Sequence, residues 1–142
     1  MDIVIKLLDE NFTMEAQNES GNSFIMDASE NIGGQNKGMR PMQVLLASLG
    51  GCSAIDVLNI LKKQRKKYSS FEVILDGDRE QLETYSLYRK IVIHFKINGE
   101  LTVDQVKKAI DLSLDKYCSV AKTLEPTAKI ISKITLNGKE EF

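Results

Sequence analysis

Two thiols, Cys52 and Cys118, and one imidazole, His94, are the side chains whose types most directly suggest chemistry. A thiol attacks a substrate or exchanges a disulfide only as the thiolate. Cys52 follows Gly50 and Gly51 inside a long apolar run. Two adjacent glycines cost roughly 1 kcal/mol each in a helix interior, so the pair predicts close approach of a backbone or a substrate to the sulfur. Asp56, one helical turn beyond, would raise the Cys52 pKa when ionised, so an activating cation must come from elsewhere. Arg40 is about 18 Å away along an unbroken helix, which leaves Arg79, Arg89 or an arginine of a partner subunit. Cys118 precedes Ser119 at a predicted helix start, where a thiolate is favoured. Against this stands the common role of a lone cysteine as a small buried apolar residue. Residue types alone leave both readings open.

His94 has no cysteine, histidine or carboxylate cluster around it at ligand spacing, so no metal site is expected. It reads as a surface or sheet-face residue. Net charge is −1 over 142 residues, which gives no general argument for nucleic acid or membrane. The basic run Lys62–Lys67 could serve as a nucleic-acid patch, but one short run in a chain of near-neutral charge reads better as a solvated helix end whose cations complement the helix dipole. Val44–Leu61 is apolar enough to resemble a membrane span, but Ser48, Ser53, Asp56 and Asn59 lie within it, and a mid-span aspartate is costly. No basic segment precedes the short apolar run at the N-terminus, so no signal peptide is expected. Two cysteines in such a chain predict reduced thiols and a cytoplasmic setting.

The elements that must position the thiols follow from periodicity. Ile3–Leu8, Phe12–Gln17 and Ser23–Asp27 alternate as three strands of an antiparallel meander. Residues 28–39 form the longest loop, either a connector or a functional segment. Pro41 suits the first position of a helix, and that helix is expected to run to Lys67. Its apolar residues point all round the axis, which predicts burial on every side. Two strands follow, over Phe71–Gly77 and Leu87–Asn98. Thr102 and Gln105 match a capping box ahead of an amphipathic helix whose buried face is Val103, Val106, Ile110, Leu114 and Tyr117. One further helical turn spans Ser119–Leu124, and Ala128–Leu136 alternates as the last strand. The order predicts an α+β fold in one domain over residues 1–142, with antiparallel sheets around a long buried central helix. One small sheet cannot cover such a helix, so a homodimer is expected.

Two segments carry a resemblance. PMQVLLASLGGCSAIDV, a proline-led helix with a cysteine after small residues, is followed by KYCSVAKTL, a second cysteine in a Tyr-Cys-x-Val-x-x-Thr-Leu setting. Together, and with the same order of strands and helices, they resemble the OsmC/Ohr family of osmotically inducible and organic-hydroperoxide-resistance proteins. The Pro-Met start and Leu-Gly-Gly-Cys-Ser are more similar to its YhfA-like branch. The resemblance implies an OsmC-like fold, an intertwined homodimer with sites at the interface, and reduction of a small organic hydroperoxide by a thiol reductant. It implies no cofactor and no metal. By position Cys52 would be peroxidatic and Cys118 resolving. The family places a glutamate shortly after the proline, which holds an arginine over the cysteine; here Gln43 occupies that region and cannot form a salt bridge. The arginine usually comes from the N-terminal strands, and the first one in this chain is Arg40. Arg40 and Gln43 therefore complete the expected site. The alternatives are a dimeric binding protein for a small apolar or thiol-reactive ligand, and a redox sensor.

Overall fold

In a computed structural model, which describes residues 1–141, the N-terminal alternation folds as expected. Strands β1 (Ile3–Leu7), β2 (Met14–Asn18) and β3 (Ser23–Met26) form an antiparallel sheet in that order. The Asn18 side chain accepts the N–H groups of Ser20 and Asn22, and Gly21 takes a left-handed φ of 85°, which closes the second turn. Residues 28–39 are an ordered loop. Asp27, fully buried, accepts backbone N–H groups from Ala28 at 2.8 Å, Gln35 at 2.9 Å and Lys37 at 3.1 Å. These donors, Gln35 foremost, hold its carboxyl below the ordinary value because they bind the charged form.

Helix α1 spans Pro41–Lys63, ending four residues before the expected Lys67. Arg65 turns left-handed at φ 55°, and the Lys66 N–H returns to the Leu61 carbonyl at 2.9 Å. This closing geometry satisfies terminal carbonyls that the helix leaves open. All-round burial of α1 is not met in the single chain. Its buried residues are Leu49, Gly50, Ser53, Val57 and Leu61, a stripe along one side, whereas Ile55 is 69% exposed. By length and composition α1 could cross a membrane, but Ser53, Asp56 and the core residues Val57 and Leu61 have partners within the fold described below.

The chain divides into two compact units, Met1–Leu45 and the part from Leu46 onward. The second unit contains the long hairpin β4 (Tyr68–Gln81) and β5 (Ser86–Gly99), then α2 (Val103–Leu112), a π-helical turn (Ser113–Tyr117), α3 (Ser119–Leu124), β6 (Lys129–Leu136) and β7 (Lys139–Glu141). Its sheet runs β4-β5-β6-β7, and β6 lies parallel to β5. The expectation of antiparallel sheets therefore fails at this pair. The chain reaches β6 through α2 and α3, and a helical crossover is what a parallel neighbour requires. Strand β7 was hidden in the charged C-terminal segment; left-handed Asn137 and Gly138 make the tight turn before it, the residue pair such hairpins favour.

Val57 and Leu61 of α1 share a core with Ile93, Phe95 and Ile97 of β5 and with Val106, Ala109 and Ile110 of α2. The capping box forms as expected: Gln105 N–H donates to Thr102 Oγ1 at 3.3 Å, and Thr102 N–H to Gln105 Oε1 at 3.0 Å. Tyr117, assigned to the buried face, is instead 51% exposed. The Cys118 N–H bonds the Ser113 carbonyl, five residues back, at 2.7 Å. That wider turn changes the helical phase after Ser113, which is fully buried.

Candidate active site

Cys52 and Asp56 are four residues apart on α1, hence on one face. Cys118 stands where the π-helical turn meets α3, as the N-cap residue of that helix. The fold brings the two sulfurs and an Asp56 carboxylate oxygen within 4.8 Å of one another. Both cysteines are unbridged; Cys52 is half-buried and Cys118 fully buried. Ser113 supports the group from the other helix. Its Oγ lies 2.9 Å from Asp56 Oδ2 and 2.9 Å from Ser53 Oγ. An ionised carboxylate can only accept, so Ser113 donates to Asp56 and accepts from the Ser53 hydroxyl. Ser53 and Ser113 were not singled out from sequence. The available signal was their position: Ser53 is next to Cys52, and Ser113 is three residues beyond Ile110 on the buried stripe of α2.

The expectation that a helix start would favour the Cys118 thiolate is overturned. The Ala121 N–H does donate to Cys118 Sγ, at 3.4 Å, but the thiol pKa is pushed up to about 11. Burial is the chief cause, and the neighbouring Cys52 adds to it; the Ala121 and Val120 amides pull the other way and are outweighed. A helix of six residues contributes a short dipole, while loss of solvent penalises the charged form directly. No cation is among the groups that set this value.

The three arginines expected as candidates, Arg40, Arg79 and Arg89, each have another partner. Arg89 Nε pairs with Glu80 Oε2 at 2.6 Å. Arg79 donates to the Ser86 hydroxyl and lies 6.0 Å from the centre of the Tyr88 ring. The Arg40 guanidinium donates to Asn36 Oδ1 at 3.0 Å. Gln43, expected at the thiol site, accepts the Arg40 backbone N–H at 2.9 Å. It is the third helical residue reaching back to the residue before Pro41, one half of a capping box. Within this chain Arg40 and Gln43 make contacts that organise the start of α1.

The glycine pair divides its work. A Cβ on Gly50 would come within 2.4 Å of Leu75 Cδ1, so this glycine admits a side chain of β4 rather than a backbone or substrate. At Gly51 a Cβ would meet nothing within 4 Å. A groove of about 600 Å³ opens beside the thiol cluster; Asp56, Asn59, Ile60 and Lys63 line it from α1, with Leu112 and Tyr117 opposite. His94 is a sheet-face residue, its Nε2 2.7 Å from Thr135 Oγ1.

Residues 34–133 match the family model described as OsmC-like protein. The chain is 38% identical over 122 residues to Protein YhfA of Escherichia coli K12, covering 85% of this chain and 87% of that protein. An OsmC-like protein from Mycoplasma pneumoniae superposes with a TM-score of 0.79 at 23% identity, over 95% of each chain. A Legionella pneumophila structure described as an organic hydroperoxide resistance protein OsmC and predicted redox protein gives a TM-score of 0.71 at 11% identity, covering 95% of this chain and 97% of that one. At those identities the last two likenesses concern the fold.

Proposed function

Because the chain belongs to the OsmC-like family, we propose that it reduces organic hydroperoxides with electrons from an external thiol, using Cys52 and Cys118. One observation carries the reading: the two sulfurs share a space no wider than 4.8 Å. A disulfide needs about 2.05 Å, so closure asks for at most about 2.8 Å of sulfur movement. Cys52 is the more accessible thiol and is assigned the attack. Its thiolate displaces alkoxide from the peroxide O–O bond, giving a sulfenic acid and, after protonation, an alcohol. The Cys118 thiol then condenses with the sulfenic acid, forming the disulfide and releasing water. Two equivalents of an external thiol, or one dithiol, reduce the bridge and are themselves oxidised. The cytoplasm, where thiols are kept reduced, suits that cycle.

The working unit in this proposal is a homodimer. Ile3, Val4, Ile5 and Leu7 of β1 are 50–60% exposed and Ile55 of α1 is 69% exposed. Exposed apolar surface of this extent marks an interaction site. A partner subunit would also be the source of the activating cation, Arg40 of that subunit being the first to test. Sedimentation is expected to give a dimer at micromolar concentration; a stable monomer there would remove this part of the proposal.

A binding role is the second reading. It is favoured by the groove beside Asp56 and by the pairing of Arg79 with the Ser86 hydroxyl and of Arg89 with the Glu80 carboxylate. One equivalent of cumene hydroperoxide separates the two. Turnover chemistry removes both thiols and yields an intrachain Cys52–Cys118 bridge, and Cys118→Ser accumulates a Cys52 sulfenic acid. A reduced protein that keeps both thiols under peroxide refutes the peroxidase and leaves the binding role.

A further inference from the structure

The cluster has a second use that needs no oxidation and does not rest on the peroxide reading. We propose that Cys52, Asp56 and Cys118 together form a binding site for a thiophilic divalent cation of the zinc class. Two sulfurs and one carboxylate oxygen come from two separate helical segments and lie within 4.8 Å of one another. Linear spacing conceals the site, because Cys118 is far from the other two donors in the chain. Zinc bound tetrahedrally, with Zn–S of about 2.3 Å, holds its sulfurs about 3.8 Å apart. Contraction of the sulfurs by at most about 1 Å brings them to that spacing.

The donor set selects the ion. Sulfur ligands favour zinc over magnesium and calcium, which take oxygen. Three protein ligands leave the fourth tetrahedral position to water or an external thiol, the open arrangement of reactive zinc sites. Two of the donors are already oriented by neighbours: Ser113 holds Asp56 at 2.9 Å, and the Ala121 N–H donates to Cys118 Sγ. Such outer contacts are what keep ligands aligned on a metal. A bound divalent ion would offset the negative charge of two thiolates and a carboxylate. The balance is simple: each thiol forms a sulfur–zinc bond and releases one proton to water, with no change of oxidation state. Zinc and the disulfide exclude each other, since both use the same sulfur electron pairs.

The test uses the reduced, tag-free protein. In competition with a chromophoric zinc indicator, one zinc per chain is expected, and bound zinc should slow modification by a thiol-reactive dye at least tenfold. Cobalt(II) should give a sulfur-to-cobalt charge-transfer band of two-thiolate intensity, a reading on the unmutated chain that no folding defect can confuse. Asp56→Asn should weaken zinc at least tenfold, and Asp56→His, which restores a neutral ligand, should recover part of the loss. Failure of the unmutated protein to retain zinc, a cobalt complex without the sulfur band, or full zinc affinity in a folded Asp56→Asn protein would each overturn the assignment.

Discussion

Raising the pH on the reduced protein probes the burial of Cys118 directly. Its pKa is pushed from an ordinary 9.0 to about 11. Two pH units correspond to about 3 kcal/mol of preference for the neutral thiol in the folded chain. At pH 8 the thiolate fraction should be about 100-fold below that of an ordinary thiol, so alkylation slows by about that factor before any steric shielding. The sign for stability follows from proton counts. The unfolded chain loses this proton near 9 while the folded chain keeps it to about 11, so the contribution is complete below 9 and disappears as pH rises through that window. Ultraviolet thiolate absorbance should show the last thiol ionising near 11, with the two steps belonging to the pair rather than to either sulfur. Chemical unfolding at pH 8 should restore the fast alkylation rate. In Cys52→Ser the remaining thiol should ionise lower than in the intact pair but still above 9.0, because burial is the largest cause. Two thiols that both ionise at or below 9 in the folded protein would refute the argument that desolvation outweighs the amide donors.

Ser113→Ala removes hydrogen bonds to Asp56 and Ser53 and should lower unfolding free energy by about 1–3 kcal/mol, measured by urea denaturation; an unchanged midpoint would mean that water replaces the hydroxyl without penalty. Gln43→Ala removes the side-chain acceptor at the start of α1 and should cost about 0.5–1.5 kcal/mol while leaving the rate of thiol alkylation as it was; a loss of thiol reactivity in the folded variant would return Gln43 to the active site. Asp27→Asn takes charge from the acceptor of the Gln35 and Lys37 amides, so those amides should exchange faster with deuterium than in the unmutated chain. Because the folded carboxyl is held below its ordinary value, acid should loosen the loop in the same way, with its support present above the unfolded carboxylate pKa and lost as pH falls through the folded one.

The elements and the family were legible because their signals are local. Alternation over Ile3–Leu7, Thr102 with Gln105, and Pro41 before an apolar run each act over a few residues, and the spacing of side chains along a strand or helix is fixed by backbone geometry. The two cysteine segments identified the family for the same reason, each being a contiguous string. Other features depended on contacts that no short window contains. The exposed flank of α1 could not be separated from its buried stripe by composition, because aliphatic side chains lie on both: Ile55 on the flank, Leu49, Val57 and Leu61 on the stripe. The parallel pairing of β5 with β6 depends on the path taken through α2 and α3. Tyr117 left the buried face because one π-helical turn shifts the phase, and nothing in Ser113–Tyr117 announces that turn. The cluster itself is the sharpest case. Sequence supplied two thiols and placed Asp56 beside one of them; only the packing of α1 against the segment from Ser113 to Ala121 put both sulfurs and the carboxylate in one small space. That same packing withdrew solvent from Cys118, so the thiol that a helix start would have ionised is kept neutral: desolvation is a property of the assembled core and has no counterpart in a linear string of residues.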